Sequence, residues 1–135
     1  MESIGEQILT ADPAQPSIGD EEIESLEALF DALKPFFEME HAVLPAAYIR
    51  AFILVGKKEG LSVSEYAQQL QISPTVMTRN LLDIGDRNRQ REKGLQLITQ
   101  ERDPYDLRKH RARLTPRGRK LAHDINVTLR RLRKK

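Results

Sequence analysis

The 135-residue chain contains no cysteine and no tryptophan, and aromatic residues make up only 5% of it. Without cysteine there is no disulfide framework, no thiolate metal site and no thiol redox sensor. The three histidines, His41, His110 and His123, are scattered, and none has Asp, Glu or Cys at metal-ligand spacing. We therefore expect no metal and no other cofactor.

Long apolar runs are also missing. No segment approaches the ~18 residues that a membrane-spanning helix needs, and the N-terminal MESIGEQILT lacks the basic, apolar pattern of a signal peptide. The chain has no glycine-rich phosphate loop and no nucleophile–base arrangement. These absences predict a soluble cytoplasmic protein that is not an enzyme.

The net charge of +2 hides an uneven distribution. Residues 1–60 carry 4 basic against 12 acidic residues, a balance of −8, and residues 61–135 carry 18 against 8, a balance of +10. Such asymmetry indicates a nucleic-acid-binding face on the basic half. The alternative is that acidic and basic helices simply pair, within a subunit or across a dimer.

The chain length predicts one domain. Apolar residues at helical spacing and two short alternating stretches predict that it is mainly α-helical with a small β-hairpin. Residues 1–20 are predicted to be a flexible arm, 21–60 N-terminal helices, 61–115 the region whose basic charge suggests nucleic-acid binding, and 116–135 a basic C-terminal helix. Asp20 is the predicted cap of the first helix, and Pro35 is expected to kink it or end it early. Short strands are predicted at 95–100 and 111–115.

The window LSVSEYAQQLQISPTVMTRNLLDIG, residues 61–85, has the pattern of a helix-turn-helix. Ser62 with Glu65 forms a capping box, Ala67 is small enough for a helix crossing, and Ser73 caps the second helix. The face predicted to meet DNA comprises Ser73, Pro74, Thr75, Thr78, Arg79 and Asn80. The alternative is an ordinary helical hairpin with a polar face.

A second motif follows at the spacing D-x-R-x5-L-T, formed by Asp106, Arg108, Leu114 and Thr115, and Gly118 extends it to L-T-x-x-G. Together the two motifs resemble the winged helix-turn-helix core of the multiple-antibiotic-resistance regulator (MarR) family. The resemblance implies that Asp106 orients Arg108 and that Arg108 enters the DNA minor groove. Neighbouring residues would then neutralise phosphates: Arg102, Lys109, His110 and Arg111. The alternative is a basic hairpin that is merely solvated.

Two positions depart from the family pattern. Gln71 stands at the turn of the helix-turn-helix, where the family usually has glycine. The connection GDRNRQREKG, residues 85–94, is longer than usual and carries Arg87, Arg89, Arg91 and Lys93. It is predicted either to extend the second helix of the helix-turn-helix, which we call the recognition helix, or to form a basic loop along the DNA backbone. A solvated insertion is the alternative.

Helix pattern and resemblance together predict a homodimer. Its interface would use Leu26, Phe30, Leu33, Leu121, Ile125, Leu129 and Leu132. The resemblance also implies a small aromatic effector in a cleft, for which Phe36, Phe37, Tyr48 and Phe52 are candidate lining residues. Plain core or interface packing is the alternative for these four.

The predicted function is sequence-specific binding of double-stranded DNA at a pseudo-palindromic operator, as a transcriptional repressor. One alternative is an accessory DNA-binding protein of a plasmid or phage, acting in partition, replication or excision with the same fold. Another is a protein-interaction module that does not bind DNA and works through its acidic half.

Overall fold

The computed structural model describes residues 17–39, 44–87, 90 and 92–133. Most of the predicted N-terminal arm, together with His41, Arg89, Arg91 and the side chain of Leu132, lies outside the described residues. The described residues form five helices and one antiparallel hairpin, in the order α1, α2, α3, α4, β1, β2, α5.

Helix α1 spans Asp20–Phe37 and packs on the C-terminal helix of the same chain. Its N-cap is Gly19, not the predicted Asp20, and the Gly19 N–H donates to Glu22 Oε1 at 3.1 Å. Asp20 instead lies in the first turn, where a carboxylate suits the positive end of the helix dipole.

Pro35 does not end α1, which continues through it to Phe37. The alternative prediction, a kink at Pro35, stays a prediction. Pro35 lies in the last turn, so only one backbone hydrogen bond near the helix end is lost. The buried ring of Phe36 also holds this turn, packed edge-on against Phe52 of α2 with centroids 5.7 Å apart.

Helix α2 spans Ala46–Lys57 and carries core residues on its inner face. The turn after it contains Gly60, whose φ of +89° favours glycine. Glu59 in this turn accepts from the backbone N–H of Leu114 at 2.7 Å and from Arg119 at 2.8 Å. The turn is thereby joined both to the end of the hairpin and to the last helix.

Helices α3, Val63–Leu70, and α4, Pro74–Asp83, form the helix-turn-helix. Both predicted caps are confirmed: Ser62 and Glu65 form a capping box, and Ser73 accepts from the N–H of Val76 at 3.2 Å. Ala67 is 1% exposed, consistent with the small residue expected between packed helices. Gln71 ends α3 in the left-handed conformation, with φ 57° and ψ 42°.

The connection after α4 does not extend that helix, which ends at Asp83. Residues 83–86 and 94–97 instead run side by side, with hydrogen bonds such as Leu95 N–H to Asp83 O and Gln96 N–H to Gly85 O. The backbones of Gly94 and Gly85 are in close contact, because a Cβ added at Gly94 would lie 2.3 Å from the Gly85 carbonyl oxygen. A bridge between Arg87 and Lys93 follows.

The wing is the hairpin of β1, Ile98–Asp103, and β2, Asp106–Leu114, paired from Ile98↔Leu114 outward. The predicted strands at 95–100 and 111–115 are therefore shifted. Leu95 and Leu97 are buried, but their backbone pairs with the end of α4 and not with β2. Residues 106–110 lie outside the core, so no burial pattern marks them as a strand.

Helix α5 spans Pro116–Arg133 and begins where it was predicted to begin; the last two residues of the predicted helix lie outside the described residues. The hydroxyl of Thr115 donates to the Gln96 carbonyl at 2.6 Å and accepts from the Gly118 N–H at 3.0 Å. A Cβ at Gly118 would lie 2.1 Å from the carbonyl oxygen of Leu97. The L-T-x-x-G motif thus caps α5 and lets it approach the chain entering the wing.

One core joins all these elements, formed from α1, α2, the helix-turn-helix, the hairpin base and α5. Its largest fully buried side chains are Val55, Tyr66, Met77, Leu81, Ile84, Leu97 and Ile98. Within the described ranges, none of the helices has the length and apolar character required to cross a membrane.

Candidate nucleic-acid interface

The start of α4 presents a polar surface. Met77, Leu81 and Ile84 face the core and are 0% exposed, which leaves Thr75, Thr78 and Arg79 outside. Of the other predicted residues, Ser73 uses its hydroxyl as the cap, Pro74 fills the first turn and Asn80 is half-buried.

Val76, 43% exposed on the same helix, was missed because only polar residues were sought there. Its methyl groups can contact a thymine methyl in a major groove.

The wing tip brings together the predicted pair of Asp106 and Arg108. Asp106 Oδ1 accepts from Arg108 Nε at 3.2 Å and from its backbone N–H at 3.1 Å. These two hydrogen bonds, led by the side-chain one, hold the pKa of Asp106 below its usual range. The Arg108 side chain is nevertheless 91% exposed, so the pair aims the guanidinium without covering it.

The base of the wing is anchored through Arg111, a contact that the sequence did not reveal. Its Nη1 donates to the Gly60 carbonyl at 2.6 Å, while Nη2 and Nε contact Asp103 Oδ2 at 2.6 and 2.8 Å. Hydrogen bonds from the Tyr105 N–H and then from Arg111 hold the pKa of Asp103 below its usual range. These contacts engage all three guanidinium nitrogens and give Arg111 a structural role. Arg111 also lines the cleft described next, and the phosphate contact predicted for it stays a prediction.

A cleft of about 1010 Å³ separates α4 from the wing. Pro74 and Thr78 line it on one side, Arg108 and Lys109 on the other. His110 lies along the same strand, and its cross-strand partner is Arg102; both side chains are exposed. The two predicted groups of DNA-contacting residues, on α4 and on the wing, therefore meet across one basic, open cleft.

The connection after α4 contributes to this cleft through Arg87, which is exposed and lines the wall with Gly85 and Asp86. Lys93, its bridge partner, is also exposed. The base of the arginine-rich connection thus lies beside the recognition helix. Among the described residues, no group of three or more His, Asp or Glu side chains could hold a metal ion.

The predicted interface residues differ in exposure. Leu26 and Phe30 on α1 and Leu129 on α5 are 58%, 71% and 37% exposed, whereas Leu121 lies in the core of the chain. Leu33 and Ile125 are partly buried against that core. The apolar surface left exposed is therefore mainly on α1, where Ile23, Leu29 and Phe37 extend it.

The four aromatic residues suggested for an effector cleft do not share one site. Phe36 and Phe52 pack on each other in the core, and Phe37 is 54% exposed. The Tyr48 hydroxyl donates to Asp83 Oδ2 at 2.6 Å, joining α2 to the end of the recognition helix.

Comparison with solved structures finds the same fold in MarR-type regulators. A variant of S. aureus MepR bound to an oligodeoxyribonucleotide matches with a TM-score of 0.58 and 16% identity, over 99% of this chain and 80% of MepR. Streptococcus pneumoniae FabT in complex with DNA gives 0.57 and 15%, over 96% and 76%. MarR gives 0.57 and 19%, over 91% and 76%.

No protein-family model and no curated protein sequence matches the chain. At these identities the likeness is one of fold. The predicted MarR-like winged helix-turn-helix architecture is confirmed.

Proposed function

We propose that this protein is a sequence-specific DNA-binding transcriptional regulator that acts as a homodimer and represses transcription. The observation that carries the proposal is the shared cleft of Thr78 on α4 and Arg108 on the wing. A helix fits the major groove, while an extended arginine suits the negative potential of a narrow minor groove. The sugar–phosphate strand between the two grooves would then lie in the cleft.

Each side chain has a defined part in this arrangement. Thr75, Thr78 and Arg79 would read base edges, and Arg108, aimed by Asp106, would enter the minor groove. Lys109, His110 and Arg87 would neutralise phosphates along the cleft, and Arg102, the cross-strand partner of His110, would do so from the wing beside it. The fold shared with MepR and FabT, both solved with bound DNA, supports the same use here.

Dimerisation is supported by the exposed apolar face of α1. Phe30 and Leu26 are more than half exposed, and burying such surface is the main source of stability in subunit association. A two-fold dimer would present two recognition helices and two wings to half-sites about 34 Å apart. Occupancy of a promoter operator would block polymerase. A small aromatic effector, as a secondary proposal, would act by changing the spacing of the two halves.

The experiment that tests this function is selection from a random duplex pool at ~150 mM salt, where non-specific phosphate binding is weakened. We expect an enriched inverted repeat. Arg79→Ala and Arg108→Ala should lose it, whereas Arg50→Ala should retain it, because Arg50 is an exposed arginine on α2 and belongs to neither α4 nor the wing.

Two other outcomes overturn the proposal. Flat enrichment with strong low-salt binding would indicate an accessory DNA-binding protein that contacts the backbone only. Absence of binding at both salt concentrations would exclude DNA as the partner and favour a protein-interaction module.

A further inference from the structure

The tip of the wing carries an aromatic side chain that the contacts described so far do not use. Tyr105 is 97% exposed, and Leu107, two residues along, is 62% exposed. A side chain with almost its whole surface in water contributes little to the stability of its own subunit. Its placement therefore points to a role in contact with a partner.

The turn that carries Tyr105 is held in a defined shape. Pro104 fixes one backbone angle, and the Tyr105 N–H donates to Asp103 Oδ1 at 2.7 Å. Asp103 is itself held by Arg111, which reaches back to the Gly60 carbonyl. The tyrosine is thus presented on a braced support, and such preorganisation lowers the entropic cost of binding.

The charges around the tip indicate what kind of partner it fits. Arg108, Lys109, Arg102 and His110 all have exposed side chains on the outer half of the hairpin. The acidic side chains nearest the tip, Asp103 and Asp106, are both engaged by arginine. A polyanion with apolar surface between its charges matches this combination better than an apolar protein surface does.

The minor groove of duplex DNA has these properties, with phosphates at its edges and deoxyribose along its walls. It is about 6 Å wide, too narrow for a two-stranded ribbon, so only side chains from the tip of a hairpin can enter. Apolar side chains that do enter pack on the sugars and wedge against base steps, which are easiest to open at pyrimidine–purine steps.

We propose that Tyr105 is a DNA-contacting residue that enters the operator minor groove beside Arg108 and wedges its ring against a base step. The inference rests on the proposed function and adds to it a preference for a deformable step at the place where the wing meets DNA. This preference depends on how readily the step is deformed and not on hydrogen bonds to the bases.

The test compares the full-length protein with Tyr105→Ala, Tyr105→Phe and Lys109→Ala on the selected operator, with affinity measured across a range of salt concentrations. Tyr105→Ala should bind about tenfold more weakly, a typical loss when one aromatic contact to a base is removed. Tyr105→Phe keeps the ring and should stay within about threefold of the parent. Because no phosphate contact is lost, Tyr105→Ala should leave the salt slope unchanged, whereas Lys109→Ala should reduce it by about one.

A second readout is the site preference itself. Selection with Tyr105→Ala should lose enrichment of the pyrimidine–purine step while keeping the bases read by α4. If Tyr105→Ala binds within twofold of the parent while Arg108→Ala does not, the inference fails and the proposed function stands. If the parent protein selects no operator, the proposed function itself is contradicted, and with it the role of Tyr105. Circular dichroism of each variant establishes that it is folded.

Discussion

At the scale of single residues, the turn between α3 and α4 shows how a departure from a motif is tolerated. Gln71 occupies the left-handed region where the family pattern has glycine. A residue with a Cβ is strained there by about 1–2 kcal/mol. Glycine avoids this strain but loses more chain entropy on folding, which offsets part of the gain. The hydrogen bonds from Gln71 and Ile72 back to the last turn of α3 hold the conformation in place.

Replacing Gln71 with glycine should therefore stabilise the protein by about 0.5–1 kcal/mol, because the relief of strain exceeds the added chain entropy. Urea unfolding measures the difference. Gln68→Gly is the matched control, since that residue is exposed within α3 and glycine there should destabilise by about 1 kcal/mol. Equal effects at both positions would contradict the assignment of strain to Gln71.

The Asp106–Arg108 pair predicts a pH response. The pKa of Asp106 is lower in the folded chain than in the unfolded one, mainly because its carboxylate accepts from the Arg108 side chain. The contribution to stability is thus complete above the unfolded value, about 3.8, and is lost as the pH falls through the lower folded pKa. Carboxyl NMR should show Asp106 titrating below 3.8, with the Arg108 Nε–H signal changing in the same range. An Arg108 signal that changes identically in Asp106→Asn would disprove the coupling.

At the scale of elements, sequence patterns located the helices well and the strands less well. Capping residues at Ser62 and Ser73 mark two helix starts because they act on adjacent backbone groups. The hairpin depends on long-range pairing, and its outer half is exposed on both faces. No periodicity of burial therefore distinguishes residues 106–110 from a loop.

The L-T-x-x-G motif has a structural meaning that can be tested. Gly118→Ala should destabilise the protein by about 1–3 kcal/mol, because its Cβ would meet the Leu97 carbonyl oxygen at 2.1 Å. Gly56→Ala on α2 is the control, because a Cβ there would meet only Leu114 Cδ1, at 3.9 Å. This substitution should stabilise the protein by about 0.5–1 kcal/mol, since alanine favours a helix more than glycine does. Thermal unfolding measures the stability of both variants. Equal stability of the two would contradict the requirement for glycine at position 118.

The anchorage of the wing should matter for binding. Arg111→Lys keeps the positive charge but cannot contact Asp103 and the Gly60 carbonyl with the same planar fork. We expect operator affinity to fall about fivefold to tenfold, with the salt slope unchanged because no phosphate contact is lost. Arg113→Lys, which alters a more exposed pair with Glu101, should change affinity less than twofold. A reduced salt slope in Arg111→Lys would instead reveal a direct phosphate contact.

At the scale of the whole molecule, the acidic and basic halves are less separate than their charges suggest. The acidic helix α1 packs on the basic helix α5 within one chain, which is one of the arrangements that the sequence left open. The sequence could not show which apolar residues of these helices remain exposed, because a helical stripe looks the same whether a core or a partner covers it. Leu121 is covered by other residues of the same chain, whereas Phe30 is exposed.

Phe30→Asp should consequently yield a folded monomer, because a charge on the exposed stripe of α1 prevents its burial in a dimer. Loss of the second half-site should weaken operator binding by about a hundredfold or more. Analytical ultracentrifugation gives the mass, and Phe30→Leu, which keeps the apolar surface, should remain dimeric. A Phe30→Asp variant that still sediments as a dimer would place the interface elsewhere.

The close approach of Gly94 to Gly85 has a consequence for how this protein can change over evolutionary time. The segments 83–86 and 94–97 are hydrogen-bonded to each other, and the bridge between Arg87 and Lys93 continues this pairing by one step. The cost of adding residues between two paired segments grows only with the logarithm of the number of residues that they enclose. Changes in the length of the connection between Arg87 and Lys93 should therefore be tolerated more readily than changes within the paired segments, which hold the winged helix together.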